Sequence, residues 1–106
     1  MILYIAGPMS GRAGLNFKAF NRAERVLTAA GFEVLNPTRQ QEGLTQEKYR
    51  ELGVIDVLNS EGVAVLDGYE DSRGARLETY VANDTGRPVR TVDAWLEMAL
   101  FEEPPA

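Results

Sequence analysis

The stretch GVAVLDGYEDSRGARLE, Gly62 to Glu78, decides the fold. Its first five residues are small or apolar without a break, which is how a strand covered on both faces reads. Asp67 and Gly68 end the run with a turn signal. Ser72 then stands where a helix needs an oxygen to take up its first free N–H groups, and the helix it opens ends near Gly86. Strand, turn and helix in that order form half of a βαβ unit, the building block of a parallel sheet.

Outward from this segment the same grammar repeats. ILYIA (Ile2 to Ala6) is a continuous apolar strand. From Asn16 the chain turns helical, with Phe20, Ala23, Leu27 and Ala30 on one face and Gly31 as the stop. FEVLNP, Phe32 to Pro37, reads as the second strand. The polar stretch from Thr38 to Leu44 is either a surface connection or a cover over a cleft. A second helix is expected from Thr45 to Asn59, with Tyr49, Leu52, Ile55 and Leu58 as its buried side and Gly53 weakening it by about 1 kcal/mol. RPVRT, Arg87 to Thr91, supplies a short fourth strand. DAWLEMALF, Asp93 to Phe101, is the last helix and carries Trp95, Leu96, Met98, Ala99 and Phe101 ahead of the tail EEPPA. The expected architecture is one flavodoxin-like or Rossmann-like α/β domain over residues 1–106. Its four parallel strands run in the order 2-1-3-4, with helices on both faces.

Composition narrows the function classes. The 106 residues are 44% hydrophobic and 25% charged, ordinary values for one folded domain with a core. Sixteen acidic against eleven basic residues give a net charge of -5, and the arginines and lysines are scattered singly. No basic stripe is present to displace counterions from a nucleic-acid backbone, so no nucleic-acid partner is expected. The absence of cysteine and histidine excludes disulfides, thiolate nucleophiles, Ser-His pairs and the usual zinc ligands. Acid–base chemistry falls to carboxylates, Tyr, Lys or water. ILYIA is too short for a signal-peptide core, and no 18-residue apolar segment occurs, so a cytoplasmic chain with no membrane partner is expected.

In open α/β sheets ligands sit beyond the carboxyl ends of the strands, where the strand order reverses. Two loops therefore matter most. AGPMSGRAG, Ala6 to Gly14, has the glycines, proline and serine that let backbone N–H groups turn toward an anion, with Arg12 nearby. It is neither a P-loop nor a GxGxxG fingerprint. Read alone, it is an anion site or a plain strand-to-helix turn. In the second loop, after the third strand, Gly74 and Glu78 lie four apart on one helix face. Helical side chains lean toward the N-terminus, so Glu78 should reach back over Gly74 toward the strand ends, with Gly74 leaving room there. Ser72, Arg73 and the first N–H groups of the helix form a natural anion seat. Spacing alone leaves the alternative that Arg73, Arg76 and Glu78 are merely a solvated face.

YIAGPMSG (Tyr4 to Gly11), Asn16 and Phe17, LNP (Leu35 to Pro37) and DGYEDSRGARLE (Asp67 to Glu78) together resemble the nucleoside 2-deoxyribosyltransferase-like superfamily. The nearest branch looks like the small DUF4406 proteins of phages and bacteria. The similarity spans about residues 1 to 90. The resemblance implies that Glu78 is a nucleophile at an anomeric carbon and that Tyr4 orients it or the sugar. Cleavage or transfer at the N-glycosidic bond of a (deoxy)nucleoside or its 5'-monophosphate then proceeds through a covalent glycosyl ester, without metal or other cofactor. Asp67 and Asp71 are the candidates for protonating the leaving base. The superfamily's deoxyribosyltransferases carry an aspartate where this chain has Ser72, and its deoxynucleoside 5'-monophosphate hydrolases carry a phosphate-holding serine. With Gly7, Pro8, Met9, Ser10, Gly11 and Arg12 in the first loop and Ser72, Arg73 and Gly74 in the second, a small-molecule nucleoside or nucleotide is the expected substrate.

Two departures from the superfamily pattern stand out. Ser60 and Glu61 precede the third strand where an aspartate is usual, and Gly53, with Asp56 as the closest carboxylate, lies near the place of a substrate-contacting aspartate. A catalytically inactive nucleotide-binding or interaction module is therefore the alternative. The resemblance also implies a homodimer or larger homo-oligomer in which a neighbour's helix closes the site. DAWLEMALF either serves that role or packs on its own sheet.

Overall fold

The computed structural model describes residues 1–101, and EEPPA lies outside them. Four strands, β1 (Ile2–Ala6), β2 (Glu33–Leu35), β3 (Gly62–Val65) and β4 (Val89–Thr91), form one all-parallel sheet in the order β2-β1-β3-β4. Four helices connect or follow them: α1 (Phe17–Ala29), α2 (Gln46–Leu58), α3 (Arg73–Asp84) and α4 (Val92–Phe101). The expected order and element sequence are those observed. Short helical turns at Ala13–Asn16, Pro37–Arg39 and Tyr69–Asp71 shape three of the loops.

The alternation of strand side chains divides the core in two. Leu3, Ile5 and Ala64 point to one face, under Phe20, Ala23 and Leu27 of α1 and Trp95 of α4. Tyr4, Ala6, Val63 and Val65 point to the other, against Val57 of α2 and Ala75 and Ala82 of α3. Both central strands, β1 and β3, are thus covered on both sides, which accounts for their unbroken apolar runs. Among the described residues no helix is long and apolar enough to cross a membrane.

Several expectations need correction. Ala30 is exposed, because α1 ends one residue before it and Gly31 turns the chain at φ +100. On α2 the buried positions are Gly53 and Val57, whereas Ile55 and Leu58 are 50% and 46% exposed. The apolar residues of that helix are spread around its circumference, and the stripe that meets the sheet runs through a residue with no side chain. On α4 Trp95 is buried and Leu96, Met98 and Ala99 pack around it, so this helix lies on its own sheet; Phe101, beyond the last turn that reaches the sheet, is exposed.

Trp95 anchors α4. Its ring meets Phe32 edge-on at 6.0 Å, and its indole N–H donates to the carbonyl of Val63 at 2.9 Å. A Cβ on Gly62 would come within 2.7 Å of the ring, so the glycine lets the indole lie against the strand. Trp95→Phe removes the hydrogen bond and part of the filled volume. It should cost about 2 kcal/mol, read as a lower urea midpoint at unchanged slope; an unchanged midpoint would show that α4 is not anchored there.

Candidate functional site

The strand order reverses between β1 and β3, and a cleft of about 690 Å³ opens at their carboxyl ends. Its floor is Tyr4 of β1 and Glu78 of α3, both buried. The Tyr4 hydroxyl donates to Glu78 Oε2 at 2.7 Å. No other side chain within the described residues donates to that carboxyl, so Oε1 is left as a free acceptor. Glu78 is 9% exposed, which answers the question left by spacing: it is not part of a solvated face. Ser72 sets its direction. The serine Oγ accepts the N–H of Ala75 at 3.2 Å, fixing the helix phase so that Ala75, Glu78, Thr79 and Ala82 all face inward.

Burial pushes the Glu78 carboxyl up from its ordinary 4.5 to about 7; the Tyr4 hydrogen bond pulls against this and the charge of Asp56 adds to it. Tyr4 is raised well above its ordinary value, first by burial and then by the neighbouring Glu78 charge. The tyrosine therefore remains a donor while the carboxyl titrates near neutrality. Asp56 is itself raised by burial, against a 3.1 Å hydrogen bond from Gln40 Nε2.

One wall of the cleft is the loop after β1, with Gly7, Pro8, Met9, Ser10 and Arg12. Asn16 closes this loop by donating from Nδ2 to the Pro8 carbonyl at 2.9 Å, from a left-handed backbone with φ 63. The opposite wall brings Asp71, Ser72, Arg73 and Gly74. The two loops touch: a Cβ on Gly7 would stand 2.8 Å from that of Leu66, and one on Gly68 would collide with the Arg12 guanidinium. Around Gly74 a Cβ would meet nothing within 4 Å, so the space beside it belongs to the cleft. Of the expected site residues, Gly11 and Asp67 do not line it. Gly11 is exposed and serves a turn at φ +77; Asp67 is exposed, and Gly68 at φ +82 redirects the chain beyond it before Asp71 reaches the wall. Glu61 lies at the far end of the sheet, where its Oε1 accepts the Ile2 N–H at 3.0 Å and ties down the start of β1.

Residues outside the expected site set complete the cleft. Leu15 and Phe17 stand at its mouth, and Pro37, Thr38, Gln40, Glu42 and Gly43 supply a third wall with Gln46, Tyr49, Arg50 and Gly53 of α2. Of the two readings of Thr38 to Leu44, the wall is the one observed, pinned from both sides. Asn36, buried, donates to Asn21 Oδ1 and Glu24 Oε1 and accepts the N–H of Thr38 at 3.0 Å. Arg39 pairs with Glu24 at 2.8 Å, holding that carboxyl below its usual range. The Tyr49 hydroxyl donates to the Gln41 carbonyl at 2.9 Å and accepts the Leu44 N–H. Only the spacing of Gln46, Tyr49, Arg50 and Gly53 signals their shared helix face, and it does so once α2 is phased on Gly53 and Val57.

The raised Glu78 carboxyl has a measurable consequence for stability. Between pH 4.5 and about 7 the unfolded chain has given up a proton that the folded chain keeps, so the contribution of this group falls as pH rises through that window. Glu78→Gln removes the titration. The melting temperature of the wild type minus that of the variant should therefore fall from pH 4.5 to 7 and flatten above. A difference independent of pH would mean that Glu78 titrates like an exposed carboxyl.

No curated protein matches the chain. The family described as Domain of unknown function (DUF4406) matches residues 1–91, a span that takes in all four strands, α1 to α3 and both loops after β1 and β3. The chain belongs to the DUF4406 family.

Proposed function

We propose that this protein cleaves the N-glycosidic bond of a nucleoside or its 5'-monophosphate, with Glu78 as the nucleophile. The observation that carries the reading is the buried carboxyl on the cleft floor, held by Tyr4 through one oxygen and raised to about 7. The likeness of the YIAGPMSG and DGYEDSRGARLE segments to the nucleoside 2-deoxyribosyltransferase-like superfamily supports it. So does a cleft at the strand ends with Ser10, Arg12, Ser72 and Arg73 on its walls.

The chemistry balances without histidine. Ionised Glu78 attacks the anomeric carbon through Oε1 as the carbon–nitrogen bond breaks; the bonding pair leaves on the base nitrogen, which takes a proton from a water molecule at the cleft wall. Tyr4 keeps its hydrogen bond to Oε2 throughout and fixes the carboxylate plane. Water, or the nitrogen of a second base, then attacks the same carbon, giving its proton to the group that lost one, and Glu78 departs as carboxylate. At the other end, Ser72 Oγ accepts the Ala75 N–H, so its own O–H remains free to donate to a phosphate oxygen. Arg12 and Arg73 supply the charge.

A panel of nucleosides and 5'-monophosphates assayed for released base tests the reading. The wild type should release base from at least one member, with kcat/KM rising with pH through about 7 as Glu78 ionises. Glu78→Gln should fold and bind but lose turnover by several orders of magnitude, since an amide oxygen cannot form the ester. Full activity in that variant would end the mechanism. No release from any member, with ligand-induced thermal shifts retained, would favour a binding module instead.

The phosphate arm is tested separately. Arg12→Ala and Ser72→Ala should each weaken a monophosphate by roughly 1–3 kcal/mol more than the matching nucleoside, measured by calorimetry. Equal losses for both ligands would show that no phosphate sits between the two loops.

A further inference from the structure

Helix α2 carries a glycine at its centre, where helix propensity disfavours it. The backbone there is ordinary: Gly53 is not among the glycines with positive φ, so no turn requires it. The requirement comes from across the cleft floor. A Cβ on Gly53 would collide with Glu78 Oε2 and would stand 3.1 Å from its carboxyl carbon and 3.3 Å from the Tyr4 hydroxyl. These three nearest neighbours are the two hydrogen-bonded groups of the site and nothing else. Oε2 is the oxygen that Tyr4 holds, so a methyl group would displace the one atom on which the pair depends. The adjoining turn of α2 holds Asp56, whose charge reaches both Glu78 and Tyr4. The helix therefore meets the pair with a bare backbone at one turn and a carboxylate at the next.

We propose that Gly53 is a positioning residue for Glu78: the missing side chain at this turn of α2 is what lets the carboxyl sit beneath the Tyr4 hydroxyl with Oε1 left free for chemistry. The effect on turnover rests on the reading of Glu78 as nucleophile; the effect on placement does not. Without that gap the carboxyl would swing into the open cleft, lose the Tyr4 bond and regain water.

A double-mutant cycle on folding separates the two. Gly53→Ala alone should lower the melting temperature or leave it unraised, although alanine suits a helix interior better. In a Glu78→Ala background the obstructed oxygen is gone, and the same change should raise it by roughly 4–8 °C. Carbon-detected NMR titration of Glu78 in Gly53→Ala should show its midpoint falling from about 7 toward the ordinary 4.5. Turnover should drop about 10²-fold in kcat with KM little changed, as for a misplaced reacting group. Equal changes in melting temperature in both backgrounds, with Glu78 still titrating near 7, would overturn the proposal. If Gly53→Ala fails to fold, a folded Gly53→Ala/Glu78→Ala protein supports it and an unfolded one overturns it. Absence of base release from the wild type would defeat the glycosidic reading and leave the cycle intact.

Discussion

Among the described residues, a tyrosine hydroxyl on a central strand and a carboxyl on a helix have only each other as side-chain partners. β1 is covered on both faces, so the hydroxyl of Tyr4 cannot reach bulk water and must find an acceptor. Glu78 is that acceptor, and in meeting the need it is itself taken out of water. A buried carboxylate with a single protein donor is costly, and the outcome is a proton held up to about neutral pH. Much of the fold follows from keeping these groups together. The register that sets Tyr4 opposite Val63 fixes the strand, the Ser72 cap fixes the phase of α3, and α2 approaches through a residue without a side chain.

Close approach through glycine recurs at the strand ends. Gly7 admits Leu66, Gly68 admits the Arg12 guanidinium, and Gly62, at the other end of β3, admits the Trp95 ring. The first two draw the loops after β1 and β3 into contact, so the cleft has two walls that brace each other. Its third wall is held by polar bonds between distant segments: Asn36 to Asn21 and Glu24, Gln40 to Asp56, and Tyr49 to Gln41. A loop tied at this many points is a fixed side of the cavity.

How much of this the sequence carries follows from the kind of contact involved. The strands and α1 are legible because Ile5, Ala64, Phe20 and Leu27 bury apolar surface with the period their backbone imposes. Helix α2 is misread for the same reason. Its apolar residues Ile55 and Leu58 mark the wrong face, since the face turned inward runs through Val57 and Gly53, the latter against a carboxyl, and hydrophobic periodicity has no symbol for a glycine contact. The wall from Pro37 to Gly43 depends on hydrogen bonds across some 10 to 20 positions, which no local pattern announces. Glu78 lies between these cases: spacing places it toward the strand ends, but only the folded structure shows that it is buried and paired.

The two ends of the cleft are coupled through charge. A phosphate monoester carries about -1.5 to -2 at neutral pH. At an effective dielectric near 20, such a group several ångströms from Glu78 would raise the carboxyl further and suppress the ionised form that the proposed attack needs. Asp56 already acts in that direction. The arginines on the walls, Arg12 and Arg73, carry the opposite charge and would offset that of a bound phosphate. On the proposed reading their role is therefore double: they attract the phosphate, and by neutralising it they keep Glu78 within reach of ionisation at the pH where the enzyme works. A cleft that held the phosphate through neutral hydroxyls and backbone N–H groups alone would bind the same substrate and silence its own nucleophile.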